Sequence, residues 1–164
     1  MASPFTVSMI NQTIIADSEM VMLRAATAYT SAASLLQILR ISCGQSGTST
    51  GQQLAVRWGL KAAAFGTYTA TTPVPSMINA VASALTGSTT NAASSAGTDA
   101  SANGAGTFTT LDQRGFFNLN GFELIWVPEE RPIVGPDLTF CLQLQGTPTT
   151  LTGWNASVTF LELT

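Results

Sequence analysis

The sequence predicts an all-β fold: an antiparallel β-sandwich or jelly roll of about eight strands, in a single domain over residues 1–164. Three observations carry that expectation. Apolar residues recur with a period of two in one segment after another. Turn chemistry rich in Gly, Pro, Ser and Thr separates those segments. At most one short stretch has a pattern that a helix would also satisfy. A chain of 164 residues fits one domain, and a hydrophobic fraction of 45% is enough for a core.

In chain order, Phe5, Val7 and Met9 form a first short strand. Glu19 to Ala26 fits strand or helix by pattern alone. Ser34 to Cys43 (Leu-Leu-Gln-Ile-Leu-Arg-Ile-Ser within it) is strongly apolar with a β-branched end and reads as a strand. Leu54, Val56, Trp58 and Leu60 alternate with Ala55, Arg57, Gly59 and Lys61, putting four large apolar groups on one face. Burying each contributes about 1.5–3 kcal/mol, so this face is committed to a core. Met77 to Leu85 satisfies a 3.6 period about as well as alternation, and either remains open. Thr86 to Gly106 collapses to Ser, Thr, Ala, Asn and Gly with one Asp. Such a segment has little apolar area with which to fix itself and reads as a long loop, mobile or ordered against a neighbouring subunit. Phe108 to Leu111 is strand-like, with Asp112 as a turn residue after it. Phe116 to Val127 reads as a hairpin-like pair turning at Asn120-Gly121, the alternative being one strand with a bulge at Gly121. Leu138, Phe140, Leu142 and Leu144 alternate again. At the end, Ala156, Val158 and Phe160 interleave with Ser157, Thr159 and Leu161, which suggests cover on both faces.

Charged residues make up only 9% of the chain, against roughly 25% in ordinary soluble domains. A surface covered by copies of itself or by another assembly needs fewer charges, so a stable oligomer is expected. The net charge is −3 and the six Lys and Arg residues form no run, which argues against nucleic-acid binding. No basic segment followed by an apolar one opens the chain, so no secretory signal is expected. Apolar stretches fall short of the ~18 residues of a membrane helix, so no membrane partner is expected. Cys43 and Cys141 read as reduced, small, partly buried side chains rather than a disulfide, as suits a chain made in the cytoplasm.

The chain has no histidine, which removes imzidazole-based nucleophile activation and the commonest transition-metal ligand. Two cysteines alone make neither a zinc nor an iron–sulfur site. The acids to consider for paired-carboxylate chemistry are Asp112, Glu123, Glu129, Glu130 and Asp137. Glu129 and Glu130 read as a solvated loop between prolines, and Glu123 as a strand residue facing away from the core. Gly44 to Gly51 lacks the Lys of a P-loop. Trp58, Trp126 and Trp154 read as core or interface anchors before sugar platforms. No cofactor, metal or catalytic residue is expected.

The order of segments resembles small jelly-roll decoration (cement) proteins of tailed-phage heads. Phe-Thr-Val-Ser leads into Leu-Leu-Gln-Ile-Leu-Arg-Ile-Ser and a Gly-rich turn, followed by Ala-Val-Arg-Trp-Gly-Leu and Thr72-Pro73. An Ala/Thr-rich stretch follows, then Arg114-Gly-Phe-Phe-Asn and a strand ending in Trp-Val-Pro128. Pro132-Ile-Val, Gly135-Pro-Asp-Leu138 and Asn-Ala-Ser-Val-Thr-Phe-Leu-Glu complete the series. The resemblance implies a homotrimer bound to the major capsid protein on the outer surface of the virion, made in the host cytoplasm. It suggests Ile125, Trp126 and Leu161 for subunit packing, and Ser3, Pro4, Phe5 and Val7, within the segment to Ile10, for shell contact. The alternative is a tail or fibre receptor-binding sandwich, with Trp154 and residues 146–153 as glycan contacts. An enzyme on the same sandwich is the reading the composition supports least.

Overall fold

A computed structural model describes residues 3–28, 31–47, 50–61, 66–76, 82–89, 94–102 and 106–163. Thirteen strands form among them: β1 (Pro4–Gln12), β2 (Glu19–Arg24), β3 (Leu35–Gln45), β4 (Gln53–Lys61), β5 (Thr67–Ala70), β6 (Val74–Pro75), β7 (Thr86–Gly87), β8 (Ser95–Ala102), β9 (Phe108–Phe117), β10 (Phe122–Ile125), β11 (Ile133–Val134), β12 (Thr139–Gln145) and β13 (Trp154–Leu163). They build a β-sandwich of two sheets, ordered β10-β3-β13-β1-β6, with β11 also on β3, and β5-β8-β2-β12-β4-β9, with β7 also on β8. Pairing is antiparallel except between β7 and β8. β1, β13, β3 and β10 in one sheet, with β2, β12, β4 and β9 in the other, follow the strand order of a jelly roll. The count exceeds the expected eight because β8, of eight residues, and the short strands β5, β6, β7 and β11 are added to this frame.

The period-two segments place the core. Phe5, Val7, Met9, Leu36, Ile38, Ile41, Ala156, Val158 and Phe160 point inward from the first sheet, and Val21, Leu23, Val56, Trp58, Phe140, Leu142 and Leu144 meet them from the second. Glu19–Arg24, open between strand and helix in the sequence, is a strand because β12 and β8 pair with its two edges. Leu138 precedes β12 and is only partly buried, so that strand begins one residue later than the alternation suggested.

The segment between β4 and β9 corrects one expectation. The described residues of 86–106 are not a loop: they form β7 and β8, and β8 lies between β2 and β5 in the second sheet. Ser95, Ala96, Thr98 and Ala100 are buried. Small side chains suit this position, since a Cβ on Gly97 would fall 2.8 Å from the Tyr68 Cβ. The backbone ladder supplies the stability that apolar area does not. The possible helix at Met77 to Leu85 lies partly outside the described residues; residues 82–85 are not helical. There the Glu162 carboxylate accepts the backbone N–H groups of Ala84 and Leu85 and the Ser83 hydroxyl.

The reversal at Asn120-Gly121 is present, with Gly121 at φ +71° and both N–H groups donating to the Phe117 carbonyl. It is not a hairpin. β9 pairs with β4 and β10 pairs with β3, so the turn carries the chain from one sheet to the other. Asn118 fixes this corner, donating to Gln45 Oε1 (2.7 Å) and the Thr50 carbonyl (3.0 Å) and accepting the Gln52 N–H (2.7 Å). Asp112 is not a turn residue either: β9 continues through it to Phe117.

Candidate functional site

One edge of the sandwich is extended by β6 on the first sheet and by β8 and β5 on the second. The other edge, where β9 faces β10 and β11, holds a groove of about 330 Å³ lined by Trp58, Leu60, Leu111, Asp112, Trp126, Glu130, Pro132 and Ile133. Trp58 is its floor because β4 alternation turns it inward, where it stacks on Phe122 (5.9 Å, 29°) and meets Trp126 edge-on (5.8 Å, 80°). Leu111 reaches the rim through a register shift: Trp58 lies opposite Asp112, but Gly59 opposite Thr110, leaving Leu111 as the extra residue. Such a bulge turns a side chain away from the ladder, and Leu111 is 47% exposed.

Two carboxylates line the groove. Asp112 accepts the Gln113 N–H (2.7 Å) and an ion pair from Arg114 (2.9 Å). The backbone N–H first, and the guanidinium second, hold its carboxyl below the usual range, so it is an anion at neutral pH. Glu130 ends a short 3₁₀ turn, Pro128–Glu130, and is exposed, as expected for a solvated segment.

Beside the groove, the outer face of the first sheet carries three cross-strand rows. Pro4, Leu161, Gln37 and Ile133 form one, and Thr6, Thr159, Arg40 and Ile125 the next. Ser8, Ser157, Ser42 and Glu123 form the third. Hydroxyl pairs join Thr6 to Thr159 (3.1 Å) and Ser42 to Ser157 (2.8 Å), and Arg40 pairs with Glu123 (3.2 Å). Glu123 thus faces away from the core. Ile125 (66% exposed) and the half-buried Leu161 share this face two strands apart. Trp126 does not: it turns to the other side, into the groove. Val127 and Ile133, which the sequence reading did not single out, add exposed apolar area nearby. For Val127 the signal was the alternation Ile125, Val127 about Trp126, which marks an outward row as clearly as an inward one.

The residues expected at a shell contact separate. Phe5 and Val7 are buried, and the Phe5 ring packs against Phe160 at 6.0 Å, so both belong to the core and are not available to a partner. Ser3 and Pro4 are partly buried at the start of β1. Trp154, named as a glycan contact, is fully buried and donates its indole N–H to the Thr150 carbonyl (3.1 Å).

A second polar group lies away from the groove. Glu19, on β2, accepts both Lys61 Nζ and the Tyr68 hydroxyl; Lys61 and Glu19 are almost fully buried. Met22, Cys141 and Ala100 surround Tyr68 in a small apolar cluster separate from the main core. Burial first, then the nearby Cys141 and Glu19, raise the phenol well above its ordinary range. No family model matches the chain, and no curated protein or solved structure matches it.

Proposed function

We propose that this chain is a non-enzymatic structural protein of a tailed-phage virion: a trimeric decoration protein that binds the major capsid protein on the outer head surface. The observation that carries the reading is the open edge of the sandwich and its adjoining outer face. Ile125, Val127, Ile133 and Leu111 are exposed there around a groove floored by Trp58 and Trp126. An apolar centre containing Trp, with charges kept toward its margin, is how a protein–protein interface is built. The outer face beside it is mostly hydroxyl and amide, with one ion pair. Its hydroxyls are paired as Thr6–Thr159 and Ser42–Ser157, so covering them costs less than covering unpaired polar groups.

Stabilisation of the head then follows from mass action. A protein that binds the assembled shell and not its separate subunits shifts the assembly equilibrium by RT ln(1 + [L]/Kd), about 2.7 kcal/mol at a hundredfold excess over Kd. The test is the solution mass by light scattering, followed by co-sedimentation with undecorated heads. A trimer that pellets with heads supports the reading. A monomer that stays in the supernatant ends it.

A further inference from the structure

The lining of the groove is two-part: Trp58, Leu60, Leu111, Trp126, Pro132 and Ile133 are apolar, while Asp112 and Glu130 are acidic; Arg114 already pairs with Asp112 (2.9 Å), and Glu130 forms no ion pair among the described residues. We propose that it is a socket for an arginine or lysine side chain, carried on an extended basic segment of the partner protein. This rests on the reading of the open edge as a partner surface and names the chemistry that the edge selects. An alkyl stem would lie along Leu111, Ile133 and Pro132, with the cation against the Trp126 ring and the Glu130 carboxylate. Attraction to an aromatic face and to a carboxylate adds up for such a group and for few others. A purely apolar insert would leave Glu130 desolvated without a counter-charge.

The chain's own cations do not fill this role. Arg24 pairs with Asp137, Arg40 with Glu123, Lys61 with Glu19 and Arg114 with Asp112. Arg57 donates to Gln143 (2.7 Å) and lies over the Phe108 ring. The sixth, Arg131, directly follows Glu130 in the chain and is partly buried. Five of the six cations are thus engaged within their own chain, whereas a foreign basic segment brings cations that are free.

The test titrates the full-length protein, ¹⁵N-labelled, with acetyl-Gly-Arg-Gly-amide and its lysine counterpart, following the Trp126 indole N–H. The neutral citrulline and acetyl-lysine peptides are the comparison. The expected result is a saturable shift with a cationic peptide, several-fold weaker in Glu130→Gln and weakened by salt. Equal shifts with the neutral peptides, or none at tens of millimolar, would overturn the socket. In parallel, Glu130→Gln is compared with wild type for head binding. Undiminished binding by the variant overturns the socket and leaves the decoration reading standing. Peptide binding by a protein that ignores heads does the reverse. A loss of oligomer mass in Glu130→Gln would assign the groove to a second copy and also overturn the proposal.

Discussion

Lys61 and Glu19 show how a single buried pair constrains a chain otherwise poor in charge. Each is 2% exposed or less, and Tyr68 occupies the second carboxylate oxygen of Glu19. Removing one member leaves the other buried without its counter-ion, at a typical cost of about 3–5 kcal/mol. Lys61→Met is expected to lower stability on that scale in urea unfolding, and adding Glu19→Leu to recover a large part of it. Full additivity of the two losses would show that the groups do not act as a pair. The cysteines follow the same logic of burial. Cys43 lies in the main core and Cys141 in the Met22–Tyr68 cluster, and desolvation raises both thiols well above their ordinary range. The thiolate is the reactive form, so a maleimide reagent should label neither until the protein unfolds. Prompt labelling in native buffer would contradict these placements. Asp99 gives a pH signature. Burial raises its pKa, so folding favours the protonated acid, and ionisation above the unfolded pKa works against the fold. Asp99→Asn should therefore raise Tm at neutral pH. The part of the gain due to ionisation should shrink as pH falls through the folded pKa and vanish below the unfolded one. Asn also tolerates the left-handed backbone here (φ 51°), and that part should persist in acid.

At the scale of elements, β8 tests what makes a strand. Ser-Ala-Gly-Thr-Asp-Ala-Ser-Ala has almost no side chain to bury, yet β2 and β5 pair with it on either side. Gly97→Val would put a branched side chain where a Cβ alone meets Tyr68 at 2.8 Å and the Ser88 carbonyl at 3.1 Å. A loss of about 1–3 kcal/mol is expected, the usual cost of overpacking. A neutral result would mean that β8 does not lie against β5. The same strand marks where the sequence was silent. Alternation exposed β1, β4, β12 and β13 because large side chains must choose a face, and those strands carry the core. A strand made of small residues writes no such pattern; its place is set by ladder partners far away in the chain. Pairing is equally hidden. Asn120-Gly121 announces a reversal, but nothing local says that Phe116 and Phe122 will enter the core from opposite sheets.

For the whole molecule, the sandwich has one extended edge and one open edge. Ile125→Arg replaces an exposed apolar side chain on the edge strand β10 with a charge beside Arg40, and should turn the proposed trimer into a monomer by light scattering while thermal unfolding changes little. A trimer that tolerates it would move the subunit contact elsewhere. The site was legible only in part. Ile125 and Leu161 share a face as their alternation allowed, but the groove joins β4, β9, Trp126 after β10, the 3₁₀ turn and β11, a convergence that no window of sequence contains. Asp112 and Glu130 become neighbours of one cavity only because the chain changes sheets between them. Finally, β13 lies between β1 and β3, with Pro4 opposite Leu161. The strand that completes the first sheet is thus synthesised after the other twelve described strands. Until it arrives, β1 and β3 lack the partner that joins them, and their unpaired edges and apolar faces are open to neighbouring nascent chains. Closing so distant a pairing is slow, which makes folding yield during synthesis sensitive to temperature and to chaperone supply even when the finished protein is stable.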